Sequence, residues 1–218
     1  MIEEKDFMYN KEIKDIKPEE LLKLYLNNTS ELKDIDKVLE FYDIVGRVLF
    51  LTGEVNDTIA DAISHFIRLY NIIDRGIVKE ERQPIKLFIN TEGGNAVSCL
   101  EIIDSITLSE TPVYTINIAL AASAGFDIFI AGHKRFSYPN ATFCWHEGGT
   151  SLSQIDAGKF RNYSDWYDRL LQRTKKILLD NTKVTPELYQ EKRKDDWWLF
   201  PEEAVELGIC DEILEVFI

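Results

Sequence analysis

The chain has 218 residues, of which 45% are hydrophobic and 29% charged, and its formal net charge is −13 at pH 7. This length is sufficient for one domain with a large core, and the composition is that of a globular protein rather than a disordered chain. The excess of carboxylates argues against nucleic acid and against an anionic membrane surface as partners, because both require basic patches.

The first 45 residues are highly charged and carry only short helical signals, with no residue that points to chemistry. From residue 46 onward, short apolar runs typical of buried strands alternate with segments whose apolar residues repeat at helical spacing. The predicted strands cover residues 48–51, 84–90, 113–118, 142–145, 197–200 and 211–216. The predicted helices cover residues 56–73, 96–107, the segment that begins near Ser123, 154–181, 185–190 and 201–208. This alternation favours an α/β fold with parallel strands and right-handed crossovers.

The cysteines, the N-terminus and the most hydrophobic segment indicate the cellular compartment of the protein. The three cysteines, Cys99, Cys144 and Cys210, lie far apart without a C-x-x-C pair, which predicts neither disulfides nor a zinc site. The acidic N-terminus does not resemble a signal peptide. Residues 113–132 are strongly apolar but include the carboxylate of Asp127, which is costly in a bilayer, so we predict a buried strand followed by a buried helix. Together these features predict a cytoplasmic protein without a bound metal.

Three predicted strands lead into residues suited to catalysis, and the carboxyl ends of parallel strands meet at one edge of a sheet. One strand leads into TEGGN, whose two glycines let backbone N–H groups turn into a cleft, as an oxyanion hole requires. The next leads to Ser123 near the start of a helix, where the helix dipole is positive. A third ends at His146, a candidate base. Each feature alone is more often structural, so the prediction of a Ser–His site depends on their joint position.

A Ser–His pair needs a third group that orients the imidazole. Spacing along the chain leaves four acidic residues open for this role: Glu147, Asp180, Asp195 and Asp196. The other two histidines, His65 in a predicted helix and His133 in a predicted loop, are expected to be structural or solvated.

Five segments occur in an order that resembles the proteolytic subunit of the Clp protease (ClpP), a serine peptidase family of the crotonase-like superfamily. In chain order they read LFLTGEVND, FINTEGGNA, ALAASAGFDIFIAG, KRFSYPNATFCWHE and DDWWLFPEEAVELGICDEIL. The resemblance runs from about Phe41 to Leu214. It implies an α/β fold of stacked ββα units in a ring-forming domain at 46–218, with a long handle helix at about 154–181. Residues 1–45 would then be a divergent axial or docking segment.

The resemblance also implies a role for each site residue. Ser123 is expected to be the nucleophile and His146 the general base. Asp196, rather than its neighbour Asp195, is expected to orient the histidine. The backbone N–H groups expected to form the oxyanion hole are those of Gly94 and Ala124. The implied reaction is hydrolysis of peptide bonds in unfolded proteins by acyl transfer, with no cofactor bound to this chain.

Membership of this family would further imply an assembly. Seven subunits are expected to form a ring, and two rings to stack as a homo-oligomeric tetradecamer. The aromatic-rich helix at 154–181 is expected to contribute to the contact between rings. An AAA+ unfoldase of the Clp type, which consumes the ATP, would deliver the unfolded substrates.

Several positions depart from the family pattern. Glu92 replaces the proline before the Gly-Gly pair, and Glu147 with Gly148 replaces Gln-Pro after the histidine. Asp127 replaces an apolar residue in the nucleophile helix. We therefore take Glu92, Gly93 and Glu147 as candidates for the substrate cleft, where the two carboxylates would favour basic side chains in a substrate.

Three other functions fit parts of the sequence. A non-catalytic ring subunit would share the fold, although the intact Ser–His–Asp set argues against it. A crotonase-like acyl-CoA hydratase or thioesterase would share the backbone oxyanion hole without needing this set. A membrane-bound signal-peptide peptidase of related fold would need a membrane segment, and it would pair its serine with a lysine.

Overall fold

The computed structural model describes residues 43–149 and 156–218. The N-terminal segment predicted at 1–45 lies almost wholly outside the described residues, as do the first two residues of the helix predicted at 154–181. The chain divides into two units, of which the second is Val48–Ile218. Every strand and helix named below belongs to the second unit.

Strands and helices alternate along this unit, as the sequence predicts. The strands are β1 (Val48–Val55), β2 (Ile85–Gly94), β3 (Val113–Ala122), β4 (Lys134–Ser137), β5 (Thr142–Trp145), β6 (Trp197–Leu199) and β7 (Glu212–Ile213). The α-helices are α1 (Asp57–Ile73), α2 (Ala96–Thr107), α3 (Ala124–Ile130), α4 (Ala157–Asn181), α5 (Pro186–Lys192) and α6 (Pro201–Glu206), and a 3₁₀ turn covers Lys79–Glu81.

The strands form a mostly parallel sheet. Five of them run parallel in the order β1–β2–β3–β4–β7. Strand β3 is long enough to serve two neighbours, since it pairs with β4 over residues 114–117 and with β5 over residues 120–122. Strand β6 pairs antiparallel with β5. This sheet confirms the predicted α/β fold, and it brings the carboxyl ends of β2, β3 and β5 side by side.

Two features of the sheet differ from the sequence-based prediction. Strand β4 is absent from the predicted strands, because two of its four residues are charged and conceal the apolar signal. Strand β2 continues through the Gly-Gly pair that the sequence predicts as a turn, and Gly94 pairs with Val55 of β1 after a register shift. Gly93 and Gly94 have φ angles of +100° and +151°, which side-chain-bearing residues rarely adopt. The glycines therefore allow the strand to continue past the irregularity.

Helices α1 and α3 pack their apolar faces on the sheet, and α2 contacts both of these helices. Helix α1 begins after Asn56, whose side chain accepts a hydrogen bond from a first-turn amide at 3.1 Å. Its buried face comprises Ala60, Ile63, Ser64, Ile67 and Tyr70. Nearer the site, the rings of Phe126 and Phe129 pack edge to face on Phe143, with centroid separations of 6.3 and 5.0 Å. These contacts hold α3 against β5.

The cysteines and the apolar stretch have the predicted structures. All three cysteines lie within the described residues, where they are buried and form no disulfide. The apolar stretch at 113–132 divides into β3 and α3, both largely buried. Within the part of the chain that the structure describes, no helix is long and apolar enough to span a membrane.

Candidate active site

Ser123 occupies the sharp turn between β3 and α3. Its φ of 53° and ψ of −122° lie where non-glycine residues are rare, at a cost of about 1–3 kcal/mol. The Ser123 N–H donates to the Cys144 carbonyl at 2.9 Å, and the Phe126 N–H donates to the Ser123 carbonyl at 3.0 Å. A strained serine between a strand and a helix is typical of a nucleophile elbow, which exposes the hydroxyl at the edge of a sheet.

Two glycines allow β2 to approach this elbow closely. A Cβ atom at Gly93 would lie 2.7 Å from the Ser123 Cβ and 2.9 Å from the Ala124 nitrogen, so a larger residue does not fit. A Cβ atom at Gly125 would overlap the side chain of Thr91 on β2. The absence of both side chains thus brings the Gly-Gly segment next to the serine.

A cavity of about 270 Å³ opens beside the elbow. Four residues predicted to form the active site line it: Ser123, His146, Gly94 and Ala124. Of the three candidate cleft residues, Glu147 lines the cavity, while Glu92 and Gly93 are not part of its described lining. Within residues 43–149 and 156–218, no group of three or more His, Cys, Asp or Glu side chains is placed to hold a metal ion.

His146 directly follows β5 and is half-buried. Its Nδ1 lies 3.2 Å from the Glu147 backbone carbonyl. A proton on Nδ1 would be donated to that carbonyl and would leave Nε2 as the basic nitrogen, which is the tautomer that a general base requires. The hydrogen bond from Ser123 to Cys144 ties the serine to the same strand that carries the histidine.

Asp196 immediately precedes β6, whose residue Trp197 pairs with Trp145 of β5. Continuing this antiparallel register by one residue places Asp196 opposite His146. Opposite residues of an antiparallel pair share one face of the sheet, whereas Asp195 would alternate to the other face. Asp196 is exposed. No hydrogen bond joins it to His146 in the described structure, because the histidine Nδ1 faces the Glu147 carbonyl instead. The register favours Asp196 over Asp195 as the third member.

The other two acidic candidates have partners of their own. Glu147 accepts hydrogen bonds from the Tyr189 hydroxyl at 2.5 Å and from the Arg193 guanidinium at 2.5 and 3.0 Å. Burial and the bond to Glu147 raise the pKa of Tyr189 well above its usual range. Asp180 pairs with Lys176 one turn earlier in α4. Neither carboxylate is therefore free to orient the histidine.

One wall of the cavity comes from α4. Tyr163, Trp166 and Tyr167, which we call the aromatic cluster, contact one another with ring centroids 5.3 to 6.3 Å apart and line the cavity. The sequence predicts that α4 contributes aromatic side chains to a contact between rings. In the described chain these three rings cover the candidate active site of their own subunit, although Trp166 remains 38% exposed.

Asp127 lies one turn after Ser123 in α3 and lines the same cavity. This residue is only 9% exposed, and its Oδ1 has no hydrogen-bond partner among the described residues. Burial raises the pKa of this carboxyl from 3.8 to about 8. Sequence reasoning identified Asp127 as a departure from the family pattern but missed it as a cavity residue. The available signal was the charge itself, within an otherwise apolar helix.

The fold and this site define an α/β protein in which a strained serine elbow and a strand-end histidine share one cavity. The sequence model of the Clp protease family matches residues 10–216, which is most of the chain. The chain therefore belongs to the Clp protease family.

Individual relatives agree with this assignment. The chain is 31% identical over 185 residues to the ATP-dependent Clp protease proteolytic subunit of Streptococcus sanguinis (strain SK36), covering 80% of this chain and 90% of the relative. It is 32% identical over 185 residues to the same subunit of Lactococcus lactis subsp. lactis (strain IL1403), covering 80% and 88%. Among solved structures, a ClpP1 mutant from Listeria monocytogenes has a TM-score of 0.68 at 27% identity, covering 82% of this chain and 96% of that chain. These matches confirm the predicted family and the ClpP-like fold.

Proposed function

We propose that this chain is a serine endopeptidase, the proteolytic subunit of an ATPase-dependent protease of the Clp type that hydrolyses peptide bonds of unfolded proteins. The observation that carries the proposal is the cavity shared by Ser123 and His146, with a nucleophile candidate at a strained elbow and a base candidate at the end of the neighbouring strand. Membership of the Clp protease family supports it, because the relatives are named as proteolytic subunits. The same membership disfavours an acyl-CoA hydratase or thioesterase.

In the proposed reaction, the Ser123 hydroxyl attacks the carbonyl carbon of the peptide bond while His146 accepts its proton at Nε2. The backbone N–H groups of Gly94 and Ala124 donate to the oxyanion of the tetrahedral intermediate. When the intermediate collapses, the C–N bond breaks and His146 gives its proton to the leaving amine. A water molecule deprotonated by His146 then hydrolyses the acyl-enzyme and restores the serine.

We assign the orientation of the imidazole to Asp196. Its carboxylate would accept a hydrogen bond from the His146 Nδ1–H, which requires the ring nitrogen to turn away from the Glu147 carbonyl. The β5–β6 register supports this assignment. Catalytic hydrogen bonds are often long in unliganded enzymes and tighten when substrate binds.

The proposal includes an assembly and a partner. Heptameric rings stacked as a tetradecamer would enclose the active sites, and an AAA+ unfoldase of the Clp type would consume ATP and deliver unfolded chains. This chain would need no cofactor, and the cytoplasm is its proposed location. The names of the relatives, which describe the proteolytic subunit of an ATP-dependent protease, support a partner that hydrolyses ATP. The net charge of −13 is in keeping with the absence of nucleic acid and membrane partners from the proposal.

Hydrolysis of a fluorogenic peptide by the wild-type chain and two variants tests the proposed reaction. Ser123→Ala should lower kcat by on the order of 10⁶, the effect of removing a catalytic nucleophile. Ser105→Ala is the matched control, because it removes a serine hydroxyl from α2, outside the cavity, and it should retain activity. Undiminished turnover by Ser123→Ala would contradict the mechanism, and inactivity of all three assembled proteins would favour a non-catalytic ring subunit.

A further inference from the structure

We propose that Asp127 selects a basic residue in the substrate, and that its carboxylate binds the ammonium or guanidinium group of the side chain whose carbonyl Ser123 attacks. This inference rests on the proposed peptidase function and concerns the specificity of the same site. The sequence predicts such a preference from Glu92 and Glu147, but the structure favours a different carboxylate as its source.

The position of Asp127 relative to the nucleophile suits this role. The Asp127 N–H donates to the Ser123 carbonyl at 3.2 Å, so the two residues lie one helical turn apart. Both residues also line the same cavity. A substrate residue whose carbonyl lies at Ser123 can therefore direct its side chain toward Asp127. Lysine and arginine have long apolar stems that end in a charged head.

The carboxyl of Asp127 lacks a partner within the described residues. The residue is only 9% exposed, and its Oδ1 accepts no hydrogen bond there. Buried polar groups in folded proteins are nearly always hydrogen-bonded, and buried charges are nearly always paired. Asp127 lines the cavity with a carboxyl that has no charged partner of its own, which predicts a ligand there that supplies the opposite charge. A cation bound there would also oppose the effect of burial on the pKa and favour the ionised carboxylate.

The charges around the cavity leave Asp127 uncompensated. No lysine or arginine is among the described residues that line the cavity. Glu147 lines it as well, but the guanidinium of Arg193 already neutralises that carboxylate at 2.5 Å. Glu92 lies outside the described lining. A cationic side chain of the substrate would thus meet one carboxyl without a cationic partner, at Asp127, and its binding would favour the ionised form of that carboxyl.

The remaining walls suit the stem of a basic side chain. The rings of Trp145 and Tyr189 lie 5.4 Å apart at the cavity, and the aromatic cluster faces the same space. Aromatic faces pack against methylene groups and attract cations electrostatically. A pocket that ends in a carboxylate is the arrangement by which trypsin selects lysine and arginine. The cavity therefore combines both elements of selectivity for a basic side chain.

Fluorogenic peptides that differ only in the residue before the scissile bond test the proposal, with lysine compared with its uncharged analogue norleucine. In the wild-type chain, kcat/KM should be at least about tenfold higher for the lysine peptide than for the norleucine peptide. This factor corresponds to the weakest hydrogen bonds that charged groups form. Asp127→Asn should lower kcat/KM for the lysine peptide about ten- to hundredfold and leave the norleucine peptide little changed. Asp61→Asn removes an exposed carboxylate from α1, and this matched control should keep the preference.

The possible outcomes separate this inference from the proposed function. Faster cleavage of the norleucine peptide by the wild type, or an equal loss on both peptides in Asp127→Asn, overturns the role of Asp127 and leaves the peptidase function standing. If neither peptide is cleaved, calorimetric binding of both peptides to Ser123→Ala decides the question. Tighter binding of the lysine peptide, lost on adding Asp127→Asn, supports the assignment, and equal affinities overturn it.

Discussion

Replacing Asp127 with asparagine should make the stability of the chain less sensitive to pH. The carboxyl has a pKa of about 8 in the folded chain, against an ordinary value of 3.8. Between these values the folded state holds a proton that the unfolded chain has released, so the free energy of unfolding falls as the pH rises from about 4 to about 8. Below this window both states are protonated, and above it both are ionised, so the contribution of Asp127 no longer changes with pH.

The magnitude follows from the size of the shift. Each pKa unit corresponds to about 1.4 kcal/mol, so keeping the carboxyl protonated costs about 4 kcal/mol at pH 7, and this cost grows by about 3 kcal/mol between pH 5 and pH 7. The difference of about 3 kcal/mol corresponds to about 6–12 °C in Tm for a chain of this size. Asparagine has the same shape and does not ionise, so the variant lacks this pH-dependent cost.

Thermal unfolding between about pH 5 and pH 8 provides the assay, at equal subunit concentration because assembly also contributes to Tm. The Tm of Asp127→Asn minus that of the wild type should increase steadily with pH. For the control Asp61→Asn, which alters an exposed carboxylate, the same difference should stay flat. A flat or decreasing difference for Asp127→Asn would show that the carboxyl is ionised or hydrogen-bonded in the folded protein, and it would refute the reasoning.

Three further predictions concern the rest of the site. Gly93→Ala should abolish peptide hydrolysis with an unchanged circular dichroism spectrum, because the added Cβ would lie 2.7 Å from the Ser123 Cβ. An active variant would show that β2 can move away from the elbow. Asp196→Asn should lower turnover by about 10⁴, because the histidine would then adopt the wrong tautomer, and Asp195→Asn should lower it far less. If Asp195→Asn has the larger effect in the same peptide assay, Asp195 and not Asp196 lies opposite His146. Replacing the aromatic cluster with serine should raise KM by at least about tenfold, since each ring offers apolar surface worth about 1.5–3 kcal/mol when buried. The mass measured by light scattering should not change, and a halved mass would instead place the cluster at a contact between rings.

The elements that meet at the site could be predicted because each carries its own local signal. Ser123 and His146 each follow an apolar run, and parallel strands end at a common edge, so their proximity follows from topology. Strand β4 could not be predicted in this way. Its Arg135 is charged, and its place in the sheet is supported by a distant partner, since the guanidinium donates to Asp211 at 2.5 Å, 76 residues away in sequence.

The electrostatics of the cavity depend on tertiary structure and were beyond the reach of sequence patterns. Glu147 accepts hydrogen bonds from a tyrosine hydroxyl 42 residues later in the chain and from a guanidinium 46 residues later, and the guanidinium neutralises its charge. Asp127 is buried because α3 packs into the core and the aromatic cluster of α4 covers the cavity. The sequence therefore predicts extra carboxylates near the substrate. Only the folded chain shows that Glu147 has partners and that the Asp127 Oδ1 has none among the described residues.

Covalent labelling with a fluorophosphonate probe tests most directly the claim that Ser123 is the nucleophile of this protein. The serine oxygen attacks phosphorus and fluoride leaves, so the product is read by intact mass and then located by peptide mapping. The wild-type chain should gain one phosphonyl group per subunit on the peptide that contains Ser123, and Ser123→Ala should gain none. Labelling at another residue, or no labelling of the assembled wild type, would contradict the claim.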